Sequence, residues 1–359
     1  WWRLLGMTTV FNKKSVDTTT QPLFLGEPLG LQRYDRFKYP IFWDLYNKQV
    51  EFFWRPEEIE LKKDRADFQT LTDNEKFIFT SNLKYQTMLD SVICRGVPTL
   101  LEHVSNPELE ACLNVWGFFE QIHSTSYSYI IKNVYADPSS VFDSTLKDKE
   151  ILKRAESAIE DYNKLSYGQY DDIKEQLYMT LISINILEAI RFYVSFICSF
   201  AFAKNKKMIG NADIIRLIKR DEAIHLYNTQ TILNILKDEK SEGFQGVVKK
   251  CHDDAIAMFE RAANEEKEWA SYLFKDGSLI GLNETTLHGY IEWLVDSRLE
   301  HLGFPKIYNV KKNPIKGWSD AFMNSEAVQV APQESEITSY KIGASKNDLD
   351  DLSFDDLSL

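Results

Sequence analysis

Apolar residues recur every three or four positions along most of the chain, the spacing that puts them on one face of an α-helix. No run of short strands alternates apolar and polar residues between hairpin turns. The pattern therefore predicts an all-α protein, a helical bundle with extra helices around it. The predicted helices are residues 73–95, 107–135, 147–166, 171–207, 211–238, 243–276 and 283–303.

Helix-boundary residues support several of these limits. Pro107 stands where a first helical residue is expected, and acidic residues follow it in the first turn. Gly210, Gly243 and Gly281 mark breaks between helical segments. Residues 18–40 contain Pro and Gly and are predicted to run extended over the surface.

One stretch, residues 177–203, is long and apolar enough to cross a membrane. It carries Glu188 and Arg191 near its middle, and either charge is costly at the centre of a bilayer. A helix that is apolar on all sides also suits the centre of a bundle. We therefore predict a fully buried central helix and no membrane partner.

Charge and cysteine content narrow the range of functions. The formal net charge is −12, which disfavours nucleic acid and anionic membranes as partners. The four cysteines are scattered and form no C-x-x-C pair. A chain of this size with such cysteines is expected to be reduced and cytoplasmic.

The two ends differ in character from the rest. Residues 1–20 are predicted to be a flexible extension, with Met7 as the natural start, and residues 21–329 to be the helical domain. Residues 330–359 end in SKNDLDDLSFDDLSL, with five aspartates and one lysine. Such a segment cannot bury a core of its own. Its spaced Leu and Phe residues predict a peptide that docks on a partner, and a merely solubilising tail is the alternative.

Two of the six histidines, His123 and His225, have a glutamate three residues earlier, Glu120 and Glu222. Acidic residues number 54 of 359, so on the order of one such acid-x-x-His match is expected by chance. Counting alone therefore gives this pair of motifs little weight. The evidence for a site must come from the surrounding residues.

The helical context strengthens both motifs. Residues at i and i+3 share one helix face. The face that carries the first motif also carries Trp116 and Tyr127, and the face of the second carries Ile218. These aromatic and apolar neighbours are expected to surround any site that the motifs form.

Two further acids, Asp90 and Glu188, lie in strongly apolar helices, where an unpaired carboxylate costs several kcal/mol. Di-iron carboxylate bundles have a characteristic ligand pattern: two helices each supply one acid, and two others each supply a Glu-x-x-His motif. Two divalent ions would balance the four negative charges. Oxygen and nitrogen donors suit iron or manganese. The predicted ligands are Asp90, Glu120, His123, Glu188, Glu222 and His225.

Each residue also has an ordinary structural interpretation. Either histidine could be a hydrogen-bonded core residue. Glu188 could pair with Arg191 or Arg216, and Asp90 could be a partly exposed acid near a helix end. The combination of all six residues, in four helices and in the required order, favours the metal site.

The chain closely resembles the radical-generating small subunit of class I ribonucleotide reductase, in particular the aerobic enterobacterial and T-even-phage type. The resemblance covers nearly the whole chain. The strings that carry it are QPLFLGEPLGLQRYD, FFWRPEEI, NLKYQTMLDS, FEQIHSTSYSYIIKN, NILEAIRFYVSFICSFAFA, GNADIIRLIKRDEAIHL and VAPQESEITSY.

The resemblance implies a ferritin-like bundle, a homodimer, and two irons held by the six ligands named above. It implies that oxygen reacts at this centre and leaves a stable radical on Tyr127. Phe192, Phe196 and Ile218 match the apolar pocket that shields the radical, and Trp116 is assigned to the surroundings of the centre.

The resemblance also implies a route for the radical to a large subunit, where ribonucleotides are reduced. Trp54, Asp221 and His123 match the hydrogen-bonded path that leads from the metal. Tyr340 and Glu334 match residues at the subunit boundary, and the acidic end of the chain matches the docking peptide.

Two other functions fit the same scaffold. A ligand-binding di-metal oxidase would need neither the Trp54 route nor the Tyr340 tail. An iron-storage bundle would be shorter and would lack the tail. Because one fold can host all three functions, the site and the tail decide between them.

Overall fold

The computed structural model describes residues 9–317, and in this range helices carry almost all of the regular structure. The twelve α-helices of the described residues are α1 Pro40–Glu51, α2 Lys62–Thr70, α3 Asp73–Leu101, α4 Pro107–Val134, α5 Pro138–Thr145, α6 Lys149–Ser166, α7 Ile173–Ile186, α8 Tyr193–Lys204, α9 Ile209–Asp238, α10 Gln245–Lys250, α11 His252–Leu273 and α12 Glu284–His301. The all-α prediction is confirmed.

The core of the bundle is formed by α3, α4, α9 and the long apolar segment that contains α7 and α8. Helix α3 packs along α4 and α6, while α9 packs against α7, α8 and α4. Helix α1 lies along α4, and α11 pairs with α12 against the far side of the apolar segment. This arrangement brings the four helices with predicted metal ligands together.

The predicted helix limits needed several corrections. Helices α1, α2 and α5 were not predicted; each is at most 12 residues long and buries no more than three residues. The predicted helix 243–276 is broken at Cys251, between α10 and α11. Its apolar spacing hides the break because both pieces pack against the same core.

Helix α3 runs to Leu101 rather than ending at residue 95. Pro98 lies inside its last turns, where the loss of one main-chain hydrogen bond is tolerated. Gly96 is not a stop signal. A Cβ atom there would lie 2.6 Å from the ring of Tyr162 on α6, so the glycine allows α3 and α6 to approach closely.

The predicted helix 171–207 contains an interruption that its sequence did not indicate. Residues Leu187–Arg191 form a π-helical turn between α7 and α8. Such a turn widens the helix by one residue and is frequent at functional sites. Its second residue is Glu188.

The start of α9 is held by an acid on another helix. Both oxygens of Asp64, on α2, accept main-chain N–H groups, from Gly210 at 3.0 Å and from Asn211 at 2.6 Å. These are donors that a helix N-terminus leaves free. Gly210 lies in the first turn of α9, not in a break as predicted. Its lack of a side chain matters here, because a Cβ atom would lie 2.8 Å from the Glu60 carbonyl oxygen.

The segment before α1 is tied to the bundle by the buried carboxylate of Glu242. This carboxylate accepts hydrogen bonds from the Leu23 main-chain N–H at 2.7 Å, the Lys38 ammonium at 2.6 Å and the Tyr39 hydroxyl at 2.6 Å. Leu23 and Phe24 are buried in the core. The segment is therefore part of the packed structure at these points.

The apolar segment Ile173–Lys204 passes a test for membrane spans by length and composition alone, but 94% of its most apolar window is buried. The predicted central helix is confirmed. The four cysteines, all within residues 9–317, are free thiols.

We predict that Asp64 makes folding stability depend on pH. Burial raises the pKa of Asp64 to about 6 from an ordinary value of 3.8. The folded state holds this proton more tightly, so the free energy of unfolding should fall as the pH rises from about 4 to about 6. Urea unfolding across this range should show a smaller decline in Asp64→Asn. The exposed Asp143→Asn on α5 is the control, and equal declines in all three proteins would contradict the prediction.

Candidate metal centre

The two Glu-x-x-His motifs meet in the middle of the bundle. Each of Glu120, His123, Glu222 and His225 offers a ligand atom, and these four atoms all lie within 4.8 Å of one another. The Nδ1 atom of His225 lies 2.8 Å from Glu120 Oε1 and 3.1 Å from Glu222 Oε2. The Nδ1 atom of His123 lies 3.1 Å from Glu222 Oε1. The two motifs, one on α4 and one on α9, therefore face each other.

Asp90 on α3 and Glu188 in the π turn face the same cluster. Glu188 Oε2 lies 4.0 Å from His225 Nδ1, and Asp90 interacts electrostatically with His123 and Glu120. Both acids are completely buried. Asp90 is thus not the partly exposed helix-end acid that its sequence position also allowed.

The two arginines that could have paired with Glu188 contact acids elsewhere. Arg191 lies 2.8 Å from Glu265, and Arg216 pairs with Asp213. Within residues 9–317, several buried atoms of the cluster have no partner of hydrogen-bond geometry: both oxygens of Asp90, both oxygens of Glu188 and Oε2 of Glu120. Buried polar atoms without partners are costly, and cations would satisfy them. The residues therefore fit a pair of divalent ions.

The electrostatics of the cluster show how strongly the acids interact. Burial, helped by the charges of Glu222 and Glu120, raises the pKa of Glu188 well above its ordinary value. Burial likewise raises the pKa of Asp90. Burial would also raise the pKa of Glu222, but the neighbouring Glu188 and His123 hold it below the usual range. The acids cannot all be ionised together without added positive charge.

His123 is oriented by a carboxylate on the side away from the cluster. Its Nε2 atom lies 3.0 Å from Asp221 Oδ2. The same oxygen accepts a hydrogen bond from Trp54 Nε1 at 2.7 Å. An acceptor at Nε2 favours a proton there and leaves the lone pair of Nδ1 facing the cluster, as metal ligation requires. Trp54, Asp221 and His123 thus form one continuous contact.

Trp116 borders the cluster from within α4. Its Nε1 donates to Glu120 Oε1 at 2.7 Å. Its ring stacks on the His225 ring, with centroids 5.2 Å apart. The side chain therefore fixes one acid and one histidine at once.

Tyr127 lies two turns beyond Glu120 on α4 and is fully buried. Its hydroxyl lies beside Asp90. Burial, followed by the Asp90 charge, raises the pKa of Tyr127 well above its ordinary value, so the hydroxyl keeps its proton.

The three predicted pocket residues, Phe192, Phe196 and Ile218, are also fully buried. The rings of Phe192 and Phe196 stack at a centroid distance of 5.7 Å. Ile218 lies one turn before Glu222 on α9. The predicted Tyr340 and Glu334 lie outside the described residues.

The supports behind the π turn were not predicted. Arg191 lies against Glu265 and Glu266 of α11, and Arg298 of α12 donates to the Ala189 carbonyl oxygen at 3.5 Å. Each of these residues has an ordinary place in an amphipathic helix. Their sequence therefore carries no signal that they meet.

A helical bundle with four carboxylates and two histidines at its centre defines the class of di-metal carboxylate proteins. Comparisons with known proteins specify the family. The chain matches "Ribonucleotide reductase, small chain" over residues 32–314.

The beta subunit of ribonucleoside-diphosphate reductase from Buchnera aphidicola subsp. Acyrthosiphon pisum is 47% identical over 370 residues, 96% of this chain and 98% of the relative. The beta subunit of ribonucleoside-diphosphate reductase 1 from Escherichia coli O157:H7 is 45% identical over the same length and shares. The ribonucleotide reductase R2 subunit from Clostridium botulinum superposes with a TM-score of 0.81 at 28% identity, covering 88% of this chain and 98% of that one.

The chain belongs to the ribonucleotide reductase small-chain family. The resemblance stated from the sequence is confirmed, and so are the ferritin-like fold and the assignment as an oxidoreductase subunit.

We predict that Glu222→Gln removes most of the stabilisation that divalent ions give. Glu222 contacts both histidines, so its charge contributes to both ions. Wild-type protein in Mn(II) at about 100 times the dissociation constant should gain about 2.7 kcal/mol in free energy of unfolding for each ion bound, or about 5.4 kcal/mol for two. Chemical unfolding with and without Mn(II) measures the gain. The control is Asp161→Asn, a buried acid outside the cluster, and an undiminished gain in Glu222→Gln would refute the prediction.

Proposed function

We propose that this chain generates and stores a tyrosyl radical on Tyr127 and passes it to a large subunit that reduces ribonucleoside diphosphates. Family membership supports the reductase assignment. The observation that carries the proposal is the continuous contact from Trp54 through Asp221 to His123. An oxidase or a storage protein has no use for an indole tied to its metal ligand.

The metal ions are proposed to be two irons, and manganese suits the same oxygen and nitrogen donors. The six residues Asp90, Glu120, His123, Glu188, Glu222 and His225 would together hold the pair. Once bound, the metal pair would supply, with O2, the oxidising power for a one-electron oxidation of Tyr127.

Residues of the chain handle the proton of Tyr127. Because the hydroxyl is protonated before oxidation, loss of an electron must be accompanied by loss of the phenolic proton to give a neutral radical. The carboxylate of Asp90 lies beside the hydroxyl and is the acceptor that we propose. The buried Phe192, Phe196 and Ile218 exclude water and reductants from the radical.

The contact through Asp221 suits the transfer of an electron coupled to a proton. Trp54 Nε1–H points at Asp221 Oδ2, so an indole that loses an electron can release its proton to this carboxylate. Asp221 also holds the proton of His123 Nε2, which keeps the ligand tautomer unchanged during the transfer.

The proposed partners, a second copy of this chain and a large subunit, are suggested by family membership. We propose that the chain acts as a homodimer in the cytoplasm and that residues 330–359 dock on the large subunit. Tyr340, with Glu334 nearby, would relay the radical across the boundary. The acidic, leucine-spaced composition of this segment supports a docking peptide.

The radical assignment is tested with Tyr127→Phe. Metal-free protein is loaded with ferrous iron, exposed to O2 and examined by electron paramagnetic resonance. We expect a tyrosyl signal in the wild type and none in Tyr127→Phe, because phenylalanine has no phenolic proton to lose. Tyr193→Phe, another fully buried tyrosine, should keep the signal. A wild type that binds iron and gives no radical would refute the proposal.

The docking assignment predicts a separation of two activities. Deletion of residues 340–359 should abolish ribonucleotide reduction in the presence of the large subunit and leave the Tyr127 radical intact. Activity assays and radical quantitation on the same sample check this. Reduction at the wild-type rate by the truncated chain would contradict the role of the tail.

A further inference from the structure

The π turn Leu187–Arg191 presents charged groups on two sides. Glu188 faces the cluster formed by α3, α4 and α9. Arg191, three residues later, faces α6 and α11. A turn of this kind has i→i+5 hydrogen bonds in place of the α-helical ones and is rare, so contacts from outside the segment are expected to stabilise it.

Arg191 makes those contacts through a buried guanidinium. It is only 5% exposed. Its Nη2 lies 2.8 Å from Glu265 Oε2 and donates to Ser157 Oγ at 3.2 Å. Its Nη1 lies 3.7 Å from Glu266 Oε1. The π turn is thereby joined to α11 and α6.

Glu265 and Glu266, the two acids that pair with Arg191, are themselves held in place by other residues. Glu266 Oε1 accepts a hydrogen bond from the Tyr85 hydroxyl of α3 at 2.5 Å. The main-chain carbonyl oxygen of Glu265 accepts one from Arg154 of α6 at 2.8 Å. Arg191 therefore binds a rigid group of residues that is anchored on three helices.

The opposite side of the turn is held by α12. Arg298 donates to the Ala189 carbonyl oxygen, and its guanidinium lies 5.4 Å from the Tyr193 ring centroid, just past the turn. Two buried arginines thus support the segment that carries Glu188. Of the two, only Arg191 belongs to the turn itself.

We propose that Arg191 is a positioning residue for Glu188: its contacts with Glu265 and Glu266 fix the π turn so that the Glu188 carboxylate points at the metal centre. This inference rests on the proposed function, since it assumes that Glu188 binds a metal ion. The partners of Arg191 lie on α6 and α11, outside the cluster. Arg191 therefore acts through the backbone between residues 188 and 191.

Buried ion pairs contribute little net stability, because the cost of desolvation offsets the attraction. The group of Arg191, Glu265 and Glu266 is therefore better explained by the geometry that it imposes. Residues that orient a metal ligand affect metal affinity by about 10- to 100-fold when they are changed. That range is the effect expected here.

The test measures Mn(II) binding to the metal-free full chain, with free Mn(II) counted by electron paramagnetic resonance. The wild type should bind two ions. In Arg191→Met, the ion held by Glu188 should bind about 10- to 100-fold more weakly, while the other ion binds normally. Arg191→Lys, which keeps the positive charge, should recover most of the affinity.

Removal of Arg191 leaves two acids without their cation and can impair folding. The double variant Arg191→Met/Glu265→Gln removes one charge of each sign and should fold, as circular dichroism will verify, yet still bind the second ion weakly. Lys38→Met is the matched control. Lys38 is a largely buried cation that pairs with the fully buried Glu242 at 2.6 Å, and its hydrogen bonds go to Glu108 and Glu242 rather than to the π turn or its supports.

The outcomes separate the inference from the proposed function. A wild type that fails to bind two Mn(II) ions overturns the metal centre, before any variant is compared. If the wild type binds two ions and the double variant binds both with unchanged affinity, the positioning role is wrong. The role is equally wrong if Lys38→Met weakens the second ion as much, because the effect would then be general loosening of the fold.

Discussion

The burial of four carboxylates at one point is the constraint on which the rest of this structure depends. Asp90, Glu120, Glu188 and Glu222 are all inaccessible to water, and four like charges in a low-dielectric interior repel strongly. Without cations, the bundle can hold them only by keeping some of them protonated. The core helices must therefore be held together by packing elsewhere, and the apolar length of α7 and α8 and the outer helices supply it.

The same constraint explains the second layer of residues around the cluster. A histidine ligand must present one nitrogen with a free lone pair, and Asp221 achieves this for His123 by accepting at the other nitrogen. Asp221 also accepts a hydrogen bond from the Trp54 indole N–H. One carboxylate thus serves both the orientation of a ligand and the contact to the proposed radical route, which ties metal binding to radical transfer.

Much of the site could be predicted because its signals are local. Glutamate and histidine three residues apart must share a helix face, and an acid such as Asp90 inside an apolar run needs a reason to be there. The π turn could not be predicted. Every residue of Leu187–Arg191 is buried. The extra residue of the π turn therefore does not change the alternation of apolar and polar positions from which helices are predicted. The short α1, α2 and α5 were missed because each buries few residues.

The π turn is bracketed by two groups of buried charge, and each group is balanced on its own. On the inner side, two divalent ions would balance the four acids. On the outer side, the positive charges of Arg191 and Arg154 offset the negative charges of Glu265 and Glu266. If the outer group were not balanced, its field would reach Glu188, only three residues from Arg191, and would alter the charge that the metal ions must neutralise. Because the outer group is neutral, the charge of the inner acids is balanced by the metal ions alone.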